Sequence, residues 1–189
     1  FQRRSEMSTS SLLRGSVIKS EDLQAQFVEE IVKAGGEKIR LCFQCGTCTG
    51  SCPSGRRTAF KTRQLIAKSL LGLRDEVLHD TNLWTCTSCY TCVERCPRGI
   101  DVTNLISIIR PIAVRSGTIR DKHKVALGYL IKTGHLVPIT DNYTKLRKEL
   151  GLEEIPPTTH KHSEALKEFQ QIVSKLKFDK LAAGAGDRK

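Results

Sequence analysis

Apolar residues along the chain recur at helical spacing in separate stretches, and nowhere do they alternate as a half-buried strand would require. Leu23, Phe27 and Ile31 share one face of a helix expected over 21–34, with Ser20 placed to cap it and Gly35-Gly36 to stop it. Residues 58–71 set Leu65, Ile66 and Leu70 on one face, with Arg63 and Lys68 elsewhere and Gly72 as terminator. A short helix is expected over 74–79. A longer one opens at Thr103 and carries Leu105, Ile106, Ile109, Ile112 and Ala113, with Pro111 predicting a kink and Gly117 an end. Further helices are predicted over 121–133, 142–150 and 164–176. The last presents Leu166, Phe169, Ile172, Val173 and Leu176 as an apolar face. The expected fold class is all-α.

Pro156-Pro157 separates the last helix from what precedes it. The expected division is a flexible leader over 1–19, a helical domain over 20–155, a C-terminal helical extension over 156–181 and a disordered tail over 182–189. The longest apolar stretch, 105–114, is broken by Arg110 and Pro111, whereas a membrane-crossing helix needs about 20 apolar residues, so no membrane insertion is expected. Aromatic residues make up only 5% of the chain, which suggests that something other than side chains fills part of the interior.

The eight cysteines supply that filling. They fall into two runs, Cys42, Cys45, Cys48, Cys52 and Cys86, Cys89, Cys92, Cys96, each reading C-x2-C-x2-C-x3-C-P and offset by 44 residues at every cysteine. This spacing is the ferredoxin-type arrangement for a [4Fe–4S] cluster. Three cysteines wrap a tight loop around one cube, and in two-cluster ferredoxins the fourth ligates the other cube. The expected ligand sets are Cys42, Cys45, Cys48 and Cys96 for one cluster, and Cys86, Cys89, Cys92 and Cys52 for the other. Zinc also takes four thiolates, but its usual sites pair two short knuckles across a longer gap. Disulfides would need an oxidising compartment, and no secretory signal is read ahead of the motifs, so a reducing cytoplasm is the expected location.

A formal charge of +11 invites a nucleic-acid reading. Residues 53–85 contribute +3 and residues 97–134 contribute +5, and these are the segments that follow the two cysteine runs. An oxidised cube with four thiolates carries about −2, so two cubes offset about half of that local excess. Charge compensation is the economical reading, and the aromatics that would interleave with basic residues on a nucleic-acid surface are missing.

The motifs, their 44-residue period, Leu83-Trp84 before Cys86 and the stretch 97–101 after Cys96 resemble the α-helical ferredoxin domain. With Arg56-Arg57-Thr58-Ala59-Phe60, the chain over roughly 20–180 most resembles the C-type iron–sulfur subunits of heterodisulfide reductase from methanogenic archaea. That resemblance implies an all-α fold with two [4Fe–4S] clusters held between helices. It also implies a relay of single electrons from a flavin-bearing, iron–sulfur subunit to a disulfide-cleaving one, with a hydrogenase or formate dehydrogenase in the larger complex. Several absences agree with a relay. No cysteine is left over as a substrate-facing thiol, the adjacent Cys-Cys-Gly motif of the cleaving subunit is missing, and no cysteine precedes Cys42 to build a [2Fe–2S] domain. No phosphate-binding fingerprint occurs; Gly184-Ala185-Gly186 has no helix after it. No catalytic residue is expected. The rivals are a relay subunit of another dehydrogenase complex and a nucleic-acid protein with structural clusters.

Trp84 and Tyr90 flank cluster ligands, where shielding from water is the simpler role. His79, His123, His135, His160 and His162 show no ligand spacing, and His160-Lys161-His162 reads as a solvated turn. The C-terminal helix either packs on the cluster domain or binds a partner.

Overall fold

The computed structural model describes residues 18–183, so the expected leader and tail lie outside the described residues apart from 18–19 and 182–183. Among the described residues the chain is helical and no strand occurs. Eleven α-helices follow one another: α1 (Gln26–Lys33), α2 (Thr47–Ser51), α3 (Pro53–Arg57), α4 (Thr62–Leu70), α5 (Arg74–Leu78), α6 (Thr91–Glu94), α7 (Val102–Arg115), α8 (Asp121–Thr133), α9 (Asp141–Glu149), α10 (Ser163–Lys175) and α11 (Phe178–Ala182). Tight 3-10 turns at Glu37–Leu41 and Thr81–Thr85 lead into the two cysteine runs.

The first two predicted helices start late, for identifiable reasons. Ser20 does not cap α1; it begins a 3-10 turn over Ser20–Asp22, and the Gln24 N–H then donates to the Gly72 carbonyl at 2.8 Å before the helix opens. Helix α4 begins at Thr62 because α3 ends at Arg57, with Thr58 as its cap, and Phe60 is buried in the core between them. Helix α7 starts at Val102 rather than Thr103, because Asp101 caps it, its carboxylate accepting the Asn104 N–H at 2.8 Å. The helix runs on past Pro111 to Arg115.

Helix α7 is the central element. Val102, Leu105, Ile106, Ile109, Ile112 and Ala113 are buried along it, packed against α1, α5, α6 and the 81–85 turn. The core they join runs from Phe27 to Ala113 and includes Ile31, Ile39, Ile66, Leu78 and Leu83. Each such aliphatic side chain contributes about 2 kcal/mol by burial.

Among the described residues, none after Ala113 enters that core. Helices α10 and α11 pack on α8, where Val173 and Ala182 are buried and Leu166 and Phe169 are half-buried. Ile172 and Leu176 remain exposed, so the expected five-residue face is only partly covered. The Thr159 hydroxyl donates to the Gly134 carbonyl at 3.0 Å, which ties the chain ahead of α10 to the end of α8. Among the described residues no helix is long and apolar enough to cross a membrane.

Candidate metal centre

The two cysteine runs fold alike. Gln44 and Gly46 have φ of 62° and 84°, and the residues 44 positions later, Ser88 and Tyr90, have 53° and 60°. A left-handed residue on either side of the second cysteine curls each loop, an arrangement that turns backbone N–H groups toward an anionic guest. Gly46 and Tyr90 then stand at the N-terminal ends of α2 and α6, which pack against each other and bring the loops together.

Two cavities result. One is lined by Cys42, Cys45, Cys48 and Cys96, with Gln44, Arg63 and the apolar Ile66, Ile100 and Val102. The other is lined by Cys52, Cys86, Cys89 and Cys92, with Phe60, Thr62, Tyr90, Thr103 and Ile106. The fourth cysteine of each run thus stands with the first three of the other. Among the described residues no three His, Cys, Asp or Glu side chains meet at a point that could hold a single metal ion. Four soft sulfur donors around an apolar-walled space suit an iron–sulfur cube.

The sulfurs are served by hydrogen-bond donors, the means by which a protein steadies thiolates. The Gly55 N–H donates to Cys52 Sγ at 3.3 Å, and the Ile100 N–H donates to Cys96 Sγ at 3.4 Å. A β-carbon at Gly55 would stand 2.8 Å from the Phe60 carbonyl, so only glycine permits that approach. Gln44 Nε2 donates to Cys42 Sγ at 3.3 Å, while its Oε1 is buried without a partner. Hydroxyls lie near three more sulfurs: Thr47 at 3.3 Å from Cys45, Thr91 at 3.5 Å from Cys89, and Thr103 at 3.6 Å from Cys92.

These surroundings split the thiols into two kinds. Cys45 and Cys89 are exposed, and the hydroxyl and then the backbone N–H of Thr47 and of Thr91 hold them below the ordinary thiol range. Burial pushes Cys48 up to about 11 and also raises Cys92. The outer pair forms thiolate more readily than the inner pair. A bound cluster would hold the inner pair as thiolates, since metal coordination drives thiol deprotonation.

Cations follow the charge pattern of the sequence. Arg63 lines the first cavity. Arg110 donates from Nη2 to the Cys86 carbonyl at 2.7 Å, and from Nε and Nη2 to the Leu83 carbonyl at 3.3 and 3.2 Å. Its guanidinium lies 5.7 Å from the centroid of the Trp84 ring, which also meets His123 edge-on with the ring centroids 5.0 Å apart. Trp84 is half-buried, whereas Tyr90 is largely exposed. None of the five histidines lines either cavity. Thr47 and Thr91 could have been found from the sequence, since they occupy equivalent places in the repeat. No comparable signal marks Thr103 or Arg110, which become neighbours of the second loop only through the fold.

Comparison with known proteins places these features in a family. Residues 38–100 match the 4Fe-4S dicluster domain. The C-type subunit of the H(2):CoB-CoM heterodisulfide,ferredoxin reductase of Methanothermobacter marburgensis is 48% identical, over 88% of this chain and 90% of its own length. The C-type iron-sulfur subunit of the CoB--CoM heterodisulfide reductase of Methanopyrus kandleri is 47% identical, over 89% of this chain and 92% of its own. The C-type subunit of the ferredoxin:CoB-CoM heterodisulfide reductase of Methanosarcina mazei is 46% identical, over 82% and 95%.

Proposed function

This chain belongs to the family of C-type iron–sulfur subunits of CoB–CoM heterodisulfide reductase, and within it we propose that the protein relays single electrons from a flavin-bearing subunit to a disulfide-cleaving subunit. It is an electron-transfer subunit of an oxidoreductase complex, and disulfide reduction takes place on its partner. The observation that carries this reading is the pairing of α2 with α6, which sets two cysteine-lined cavities beside each other and commits all eight cysteines of the chain to them.

We assign Cys42, Cys45, Cys48 and Cys96 to one [4Fe–4S] cluster and Cys86, Cys89, Cys92 and Cys52 to the other, a reading supported by the lining of the two cavities. When bound, such clusters supply one-electron storage at potentials set by charge, hydrogen bonds and solvent exposure. The chain's own residues provide those settings. Phe60, Ile66, Ile100 and Ile106 wall off water, the Gly55 and Ile100 N–H groups donate to sulfur, and Arg63 and Arg110 bring positive charge. Helices α8 to α11, which add nothing to the core, form an appendage of this domain. Relatives named for H(2) or formate as electron sources support a hydrogenase or formate dehydrogenase upstream. A cytoplasmic location fits eight cysteines committed to iron–sulfur clusters rather than to disulfides.

Purified without oxygen, the chain should hold about eight irons and eight acid-labile sulfides. It should accept electrons from a strong artificial donor and remain inert toward the heterodisulfide. Added to the flavin-bearing and disulfide-cleaving subunits, it should restore electron flow from the flavin. Stoichiometric zinc in native material, catalytic heterodisulfide reduction by the isolated chain, or full turnover of those two subunits in its absence would each sink the reading.

A further inference from the structure

One buried hydroxyl in the fold faces a cysteine and no other polar group. Thr103 is 2% exposed, and among the described residues its hydroxyl meets a single partner, Cys92 Sγ at 3.6 Å. Other hydroxyls in the helices bond back to their own backbone. Those of Ser69, Ser107 and Thr133 donate to the carbonyl four residues earlier, at 2.9, 3.1 and 2.8 Å. Thr103, in the first turn of α7, instead lines the cavity of Cys52, Cys86, Cys89 and Cys92. A buried hydroxyl costs stability unless it is bonded, and valine would fill nearly the same volume without that cost. The use of this hydroxyl therefore lies at the sulfur.

The walls of the two cavities mark the same position as a point of difference. They repeat with an offset of 40 residues, Phe60, Arg63 and Ile66 matching Ile100, Thr103 and Ile106. Ile66 serves the first cavity as Ile106 serves the second, and Arg63 serves the first as Thr103 serves the second. The first cavity thus has an exposed cation where the second has a buried neutral donor.

We propose that Thr103 is a positioning residue that acts through Cys92 to raise the potential of the [4Fe–4S] cluster in the second cavity. The inference rests on the cluster assignment argued above. Coordination leaves Cys92 Sγ without a proton, so the hydroxyl is the donor. Reduction adds negative charge to a cluster and its thiolates, and a donor at sulfur stabilises that charge more in the reduced state than in the oxidised one. The hydroxyl is buried and the sulfur half-buried, so water screens the bond little. Arg63 has no hydroxyl to offer at the matching place, so the effect belongs to one cluster.

The test is an anaerobic redox titration of the iron-loaded full chain followed by EPR. Cys89→Ala, which removes a ligand of the second cluster, identifies that cluster's signal, and the potential is read only from molecules that hold it. Thr103→Val removes the hydroxyl and keeps the branched shape. Its second cluster should be harder to reduce by about ten-fold in the equilibrium constant, about 59 mV for one electron, while the first cluster shifts by less than about two-fold. Thr103→Ser keeps the hydroxyl and should recover most of the difference. A second-cluster equilibrium in Thr103→Val within about two-fold of wild type would overturn the inference, as would an equal fall in Thr103→Ser or an equal shift of both clusters. If Thr103→Val holds no second cluster, Thr103→Ala decides on the same scale. Loss of that cluster from both would overturn the inference, by making Thr103 a wall of the site. A wild-type chain without two reducible iron–sulfur clusters would overturn the cluster assignment itself, and this inference with it.

Discussion

Cys52→Ala should strip the iron held by the second loop and leave the first loop's iron in place. Cys96→Ala should do the reverse. Total iron is expected to fall from about eight to about four per chain in either variant. The reasoning lies in the cavities. Cys52 closes the first run in sequence but stands with Cys86, Cys89 and Cys92, while Cys96 stands with Cys42, Cys45 and Cys48. A cube that loses one of four thiolates keeps an open iron and an unfilled place in an apolar wall. Reference spectra come from Cys45→Ala and Cys89→Ala, which remove a ligand whose loop is not in question. The EPR spectrum of reduced Cys52→Ala should match that of Cys89→Ala, and that of Cys96→Ala should match Cys45→Ala. If each fourth cysteine instead reproduces the spectrum of its own run, the crossed assignment is wrong. Serine in place of either cysteine leaves an oxygen ligand and should shift the potential of that same cluster.

Arg110 carries the second large effect. Its guanidinium satisfies the carbonyls of Leu83 and Cys86 and lies against Trp84, so it pins the chain where it enters the second loop. Arg110→Met leaves both carbonyls without this partner in a half-buried setting, at a cost of about 2–4 kcal/mol. The expected result is a lower unfolding midpoint and selective loss of the iron shared by Cys52, Cys86, Cys89 and Cys92, with the first set retained. Arg110→Lys keeps the charge but not the fork that reaches two carbonyls, and should fall between. Anaerobic thermal unfolding with iron analysis checks this. Wild-type iron and an unchanged midpoint in Arg110→Met would show that the loop holds its shape without that anchor.

What can be read from the sequence divides along physical lines. Helix α8 has the limits its sequence predicts, 121–133, because its apolar spacing and the Gly134 stop are both local signals. Helices α5 and α9 fall within a residue or so of their predicted limits for the same reason. The short helices α2, α3 and α6 escape such a reading. They span four or five residues, too few to show a period; left-handed residues of the cysteine loops launch α2 and α6, and Pro53 opens α3. The late start of α1 depends on a bond from Gln24 to Gly72, a contact between residues 48 apart. The membership of each cysteine run is legible from spacing alone. The supporting shell is legible only where the repeat exposes it, at Thr47 and Thr91. Arg110 reaches Cys86 from 24 residues away and leaves no trace in the sequence beyond breaking an apolar stretch.

The interleaving of the two runs also constrains when the protein can be completed. Synthesis delivers Cys42, Cys45 and Cys48 first, yet the cavity they line includes Cys96, which leaves the ribosome some fifty residues later. Cys52 is made early and waits for Cys86, Cys89 and Cys92. Neither cavity has its full lining until both runs have emerged. The duplicated halves are thus joined as a clasp, each holding the piece that closes the other.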